Sequence, residues 1–183
     1  MFNSSIKIDK NIIIIISLIL FAIALRLVPH PANFSPIGAV GLFAGCYLSN
    51  KRFWLIPVFA LLCSDFFLGF YNPISMLSVY VSLSISAIIG RYCLKEKRTL
   101  FRLGGAALLS ATQFFVLTNF AVWLSGTIYQ FNFAGLIECY VMAVPFYGNS
   151  LVSELFYTFI LFGTYYLFNS TLNQNTSSCI KNS

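Results

Sequence analysis

Apolar runs about as long as a membrane is thick recur along this chain, divided by short basic or polar loops, and that alternation constrains the fold more than any single motif. A helix needs about 20 apolar residues to cross a hydrocarbon core roughly 30 Å thick. A soluble domain carries roughly 25% charged residues. This chain of 183 residues is 58% hydrophobic and only 9% charged, which leaves no room for a separate soluble domain. The sequence therefore predicts an all-α integral membrane protein with six transmembrane helices, a re-entrant polar loop after helix one and a short extra helix before helix six.

Taken in order, helix one is expected over residues 12–28, behind Lys7 and Lys10. The basic start, the apolar stretch and Ala22-Ile23-Ala24 also fit a cleaved signal peptide. The polar segment that follows makes better sense on a retained helix. Helix two, 36–49, is short: at about 1.5 Å per residue its apolar stretch covers roughly two thirds of the core. Ser35 as N-cap and Pro36 at the first position would start it below the outer surface. Gly38, Gly41, Ala44 and Gly45 give it a small-residue face for a close neighbour. Helices three to six are expected over 53–70, 74–93, 104–123 and 149–168, the last capped by Asn149 or Ser150. Ser75, Ser78, Ser82 and Ser86 recur at helical spacing in helix four, and helix packing is the plainer reading of that stripe. The stretch 134–144 is too short to cross and is closed by Pro145, as in a re-entrant or interfacial helix. Residues 169–183 read as a polar, disordered cytoplasmic tail.

The net charge of +6 sits in short loops and builds no basic face, so nucleic acid is not an expected partner. With six spans, Lys7, Lys10, Lys51, Arg52, Arg91, Lys95, Lys97, Arg98, Arg102 and Lys181 share one side, leaving only Arg26 of the 11 basic residues apart. The positive-inside rule makes that side cytoplasmic, with both termini inside a bacterial inner membrane. The 5 cysteines form no CxxC and have 1 histidine to join them, so no metal site is expected. There is no GxSG with a distant histidine, no HExxH and no paired-aspartate motif, and the chain reads as neither an enzyme nor a cofactor carrier. Nor is there a GxxxxGK loop, so ATP-driven work would need a partner.

What remains is a one-sided polar set: Arg26, His30, Asn33, Asp65, Asn72, Asn119, Trp123, Glu138 and Glu154 all fall in the outer half or its loops. A charged side chain at the bilayer centre costs about 2.5–3.5 kcal/mol, so Arg26, Asp65 and Glu154 should be paired or hydrated. One reading is a substrate pocket. Arg26 and the helix-two N-terminus would hold an anionic group, and Asp65 and Glu154 would take a donor or pair with Arg26. Trp123 and Phe34 would stack on a ring, with Tyr129 and Tyr140 as further aromatic wall. The competing reading is a membrane scaffold in which these groups only lock helices together.

The stretch Arg26-Leu27-Val28-Pro29-His30-Pro31-Ala32-Asn33-Phe34-Ser35-Pro36-Ile37-Gly38-Ala39 resembles an uncharacterised bacterial family of small membrane proteins labelled as transport proteins. So do Pro57 to Gly69 with Ser64-Asp65, Leu117 to Trp123, Gly135-Leu136 and Pro145-Phe146. The resemblance covers about Ala24 to Gly163. More distantly the layout is similar to the S components of energy-coupling-factor vitamin transporters. That likeness implies a six-helix protein enclosing a small molecule between outer loops, with a separate energising ATPase module docking from inside. The matching elements are the Arg26 to Pro36 loop, the Phe70 to Pro73 turn and the Leu124 to Asn149 region. The AxxxA docking pattern of such proteins is missing, since Ala22 and Ala24 are two apart.

Overall fold

The computed structural model describes residues 10–49 and 51–181. Within them the chain forms six α-helices and no strand: α1 (Lys10–Leu27), α2 (Ile37–Tyr47), α3 (Leu55–Leu68), α4 (Pro73–Ile89), α5 (Leu100–Leu124) and α6 (Phe133–Lys181). A π-helical turn, Gly90–Leu94, extends α4. Three segments, Pro73–Leu94, Leu100–Leu124 and Phe133–Ser170, are long and apolar enough to cross a membrane. That is the signature of a membrane protein.

Local chemistry explains where three of the six helices begin. Asn72 Oδ1 accepts from the backbone N–H of Ile74 (3.0 Å) and Ser75 (3.3 Å), and Pro73 fills the first helical position where no N–H is needed. Thr99 Oγ1 accepts from Arg102 N at 3.3 Å, which starts α5 earlier than its apolar run at Gly104 predicts. Asn132 Oδ1 accepts from Gly135 N at 2.8 Å and opens α6.

Two expectations are corrected here. The short helix 134–144 and helix six are one element, because α6 runs unbroken through Pro145. Proline deletes one backbone donor and its ring crowds the preceding turn, at a cost of about 3 kcal/mol in an isolated helix. Packing along α5 carries α6 across it. Asn149 and Ser150 are consequently mid-helix residues rather than caps: Asn149 Nδ2 donates to Ala32 O (3.1 Å) and Ser150 Oγ to Phe146 O (3.1 Å). The supposed disordered tail is helical as far as Lys181. The predicted end of the tail, 182–183, lies outside the described residues, as do Lys7 and the rest of the N-terminal segment before Lys10.

The fold is arranged around its shortest helix. At 11 residues, α2 spans roughly 16 Å, about half a membrane core. All of it except Tyr47 is buried, and it packs against every other helix. Glycine makes this possible. A methyl group on Gly45 would overlap the carbonyl of Ala87, and one on Gly90 would overlap the backbone of Leu42. α2 and the end of α4 therefore meet backbone to backbone, the close approach that small residues permit. Around this axis lies an apolar core of Leu18, Val40, Leu42, Phe43, Leu61, Leu83, Leu103 and Phe162.

Basic side chains gather at the end where α2 stops. Arg91 Nη2 donates to Leu48 O (2.7 Å) and its guanidinium lies 4.0 Å from the Phe53 ring centroid. Arg98 Nε donates to Cys46 Sγ (3.1 Å) and its guanidinium covers the Tyr47 ring. At the other end of α2 there is a cavity.

Candidate functional site

The cavity, about 340 Å³, is lined by Arg26 from α1, His30, Asn33 and Ser35 from the α1–α2 loop, Gly38 of α2 and Tyr71 before α4. Ser86 of α4, Ser110 and Phe114 of α5, and Ser150, Ser153 and Glu154 of α6 complete most of the wall. It sits above α2 because α2 is too short to fill the depth that its neighbours span.

Arg26 is spent on α3. Its Nη2 pairs with Asp65 Oδ1 at 2.7 Å and its Nη1 donates to Ser64 Oγ at 2.8 Å. Asp65 is buried, and its second oxygen accepts from Tyr80 OH at 2.9 Å. Ser64 in turn donates to Leu61 O. In this four-residue cluster cation, carboxylate, hydroxyl and phenol each have a partner, Asp65 Oδ1 through its ion pair with Arg26 rather than a hydrogen bond. At the rim, burial pushes the Tyr71 phenol up, and the nearby Asp65 carboxylate adds to that rise.

Glu154 differs. It is buried, at 5% exposure, and among the described residues its Oε1 has no hydrogen-bond partner. Its other oxygen lies against Gly38, in the first turn of α2, where a methyl group would overlap the carboxylate. The Ser110 hydroxyl stands beside the carboxylate and is shared with Ser86, to whose Oγ it donates at 2.8 Å. Ser86 donates to Ser82 O (3.2 Å) and accepts from Gln113 Nε2 (3.1 Å), which closes a serine–glutamine bridge between α4 and α5. The serine stripe thus serves partly as glue, as its spacing suggests, and partly as cavity wall through Ser86.

Of the residues expected at a site, Arg26, His30, Asn33 and Glu154 line the cavity, and Asp65 stands directly behind Arg26. Asn33, in the left-handed region at φ 62°, turns the loop so that its carbonyl accepts from Ser153 Oγ at 3.4 Å. The others lie elsewhere. Phe34 packs against Phe156 and Tyr157, with ring centroids 6.3 and 5.7 Å apart, and pins the loop to α6. Asn119 donates within its own helix to Phe115 O (2.8 Å). Trp123 stacks on Phe131 and donates to the carbonyls of Gln130 and Asn132 (both 3.2 Å), folding the α5–α6 loop. Glu138 is exposed on α6. Tyr140 donates to Val116 O (2.7 Å), an α5–α6 tie rather than a pocket wall. Missed by sequence reasoning were Ser35, Ser110, Ser150 and Ser153, which carry no signal beyond being small and polar.

A family profile described as a family of unknown function, DUF6580, matches residues 6–176. The chain belongs to the DUF6580 family. No curated protein and no solved structure matches it. Among the described residues no group of three or more His, Cys, Asp or Glu side chains could hold a metal ion.

Proposed function

We propose that this DUF6580 member binds a small polar molecule in the cavity above α2, as the substrate-recognising part of a transport process. The supporting observation is the cavity itself: a space of about 340 Å³ faced by five serines, an asparagine, a histidine and a carboxylate. Polar groups are costly to keep there without a partner. In this reading all six helices are membrane-embedded, with α1 and α3 crossing and α2 completed by the polar loop. The cavity opens at the end opposite Arg91 and Arg98, and the positive-inside rule makes that end the outer one, in a bacterial inner membrane with both termini cytoplasmic. Since the sequence holds no nucleotide-binding loop, energised uptake would use a separate ATPase partner.

Two measurements test this. Ser35→Cys at the rim should react with a membrane-impermeant maleimide in right-side-out vesicles and not in inverted ones; the reverse pattern would overturn the orientation. Ala111→Leu, which projects into the cavity, should abolish the thermal stabilisation given by any metabolite that stabilises the wild type. Equal stabilisation of both would remove the pocket.

A second reading, a membrane scaffold, draws on the saturated Arg26–Asp65–Ser64–Tyr80 cluster, whose polar groups all serve helix contacts. It predicts that these residues set the melting temperature while no small molecule does.

A further inference from the structure

The balance of charge in the cavity is not what its residue types suggest. Arg26 is its only guanidinium, yet that group is paired at 2.7 Å with Asp65 and hydrogen-bonded to Ser64, so the pair contributes almost no net charge to the space. His30 Nδ1 lies 2.9 Å from Pro31 O. A carbonyl can only accept, so this nitrogen carries the hydrogen and, in the neutral ring, leaves Nε2 as an acceptor. Glu154 meets the Ser110 hydroxyl and the N-terminal turn of α2, which offers roughly half a positive charge through its dipole. That is less than a counterion. Among the described residues its Oε1 remains buried without a hydrogen-bond partner.

An unpartnered oxygen on Glu154 and an acceptor nitrogen on His30, with the Arg26 guanidinium already paired, describe a seat for a hydrogen-bond donor that carries positive charge. Charge-assisted hydrogen bonds to a carboxylate are about twice as strong as neutral ones, and an amine supplies several donors at once. We propose that the cavity recognises a small organic amine in its protonated form, whose ammonium group sits on Glu154. This rests on the binding reading above and sharpens it: the ligand is a cation, not the anion that Arg26 and the helix-two N-terminus suggest from sequence alone. The volume suits a molecule of modest size, and Phe114 and Tyr71 provide apolar wall for its carbon skeleton.

The test uses the full chain in lipid nanodiscs. Primary amines from ethylamine to phenethylamine are compared with the carboxylates of the same skeletons, from propionate to phenylacetate, at matched concentrations and by thermal unfolding. The amine series should raise the melting temperature progressively with chain length and the carboxylate series should not. Glu154→Gln, nearly isosteric and neutral, should weaken amine binding at least about tenfold. Glu154→Asp, which keeps the charge one methylene further back, should retain the amine preference at lower affinity. Stabilisation by carboxylates instead of amines overturns the assignment and leaves the pocket standing. So does amine binding that Glu154→Gln leaves unchanged while Ala111→Leu abolishes it. Silence from both series overturns the amine assignment and the pocket together.

Discussion

Among the described residues two acidic side chains are buried, Asp65 and Glu154, in opposite circumstances. Asp65 is buried with an arginine on one oxygen and a tyrosine on the other. Glu154 is nearly as buried but, among the described residues, has one oxygen without a hydrogen-bond partner, and its carboxylate lies against a glycine. The burial is similar; the completeness of the surroundings is not. A saturated charge is a fastening, since nothing in its neighbourhood is left to recognise a ligand. An unsaturated one carries a standing cost of desolvation that a partner from solution can relieve.

The contrast breaks most visibly at Asp65. Asp65→Ala strands the Arg26 guanidinium and should cost about 3–5 kcal/mol, read as a large drop in melting temperature. Arg26→Met with Asp65→Leu removes both charges and should recover most of that loss, because replacing a buried pair by packed apolar groups is often close to neutral. A double variant as unstable as Asp65→Ala would show that more than charge balance fastens α1 to α3.

Glu154 should respond with the opposite sign. Glu154→Leu removes an incompletely satisfied buried group and should raise stability by about 1–3 kcal/mol in the absence of ligand. A loss of similar size would mean that Glu154 is as fully bonded as Asp65, and the distinction would collapse.

Gly38 sharpens the comparison further. Gly38→Ala pushes a methyl group into the Glu154 carboxylate and should cost about 1–3 kcal/mol by overpacking. In a Glu154→Ala background the obstruction is gone, and the same substitution should become stabilising by up to about 1 kcal/mol through helix propensity. Only a direct contact between the two residues produces that change of sign, and melting of the four proteins in the cycle measures it. The smallest effect belongs to the loop: Ser153→Ala removes the bond to Asn33 O and should cost about 1 kcal/mol or less.

How far the sequence could be read differs between these regions for a physical reason. Arg26 and Asp65 stand out because a charge inside an apolar run must find a partner, and the structure joins them. The shortness of helix two was equally legible, since length alone denies it the full depth. The continuity of α6 was not. Pro145, Gly148 and Asn149 together look like a break, and only the tertiary contact along α5 outweighs their local preference. Phe34 and Trp123 were placed at the cavity because aromatic side chains suit both ligand walls and loop anchors. Sequence cannot separate those uses; here both rings pack on protein. The serines of the wall were invisible because their role depends on which helix face meets α2.

The backbone contact between α2 and α4 has a mechanical consequence. Where Gly45 meets Ala87 and Gly90 meets Leu42, no side chain intervenes that could change rotamer and let one helix slide over the other. Interfaces of that kind move as a unit or not at all. The floor of the cavity is thus a fixed anvil. Any opening or closing must be carried by the polar loop after α1 and by the part of α6 beyond Pro145, where one backbone hydrogen bond is already missing.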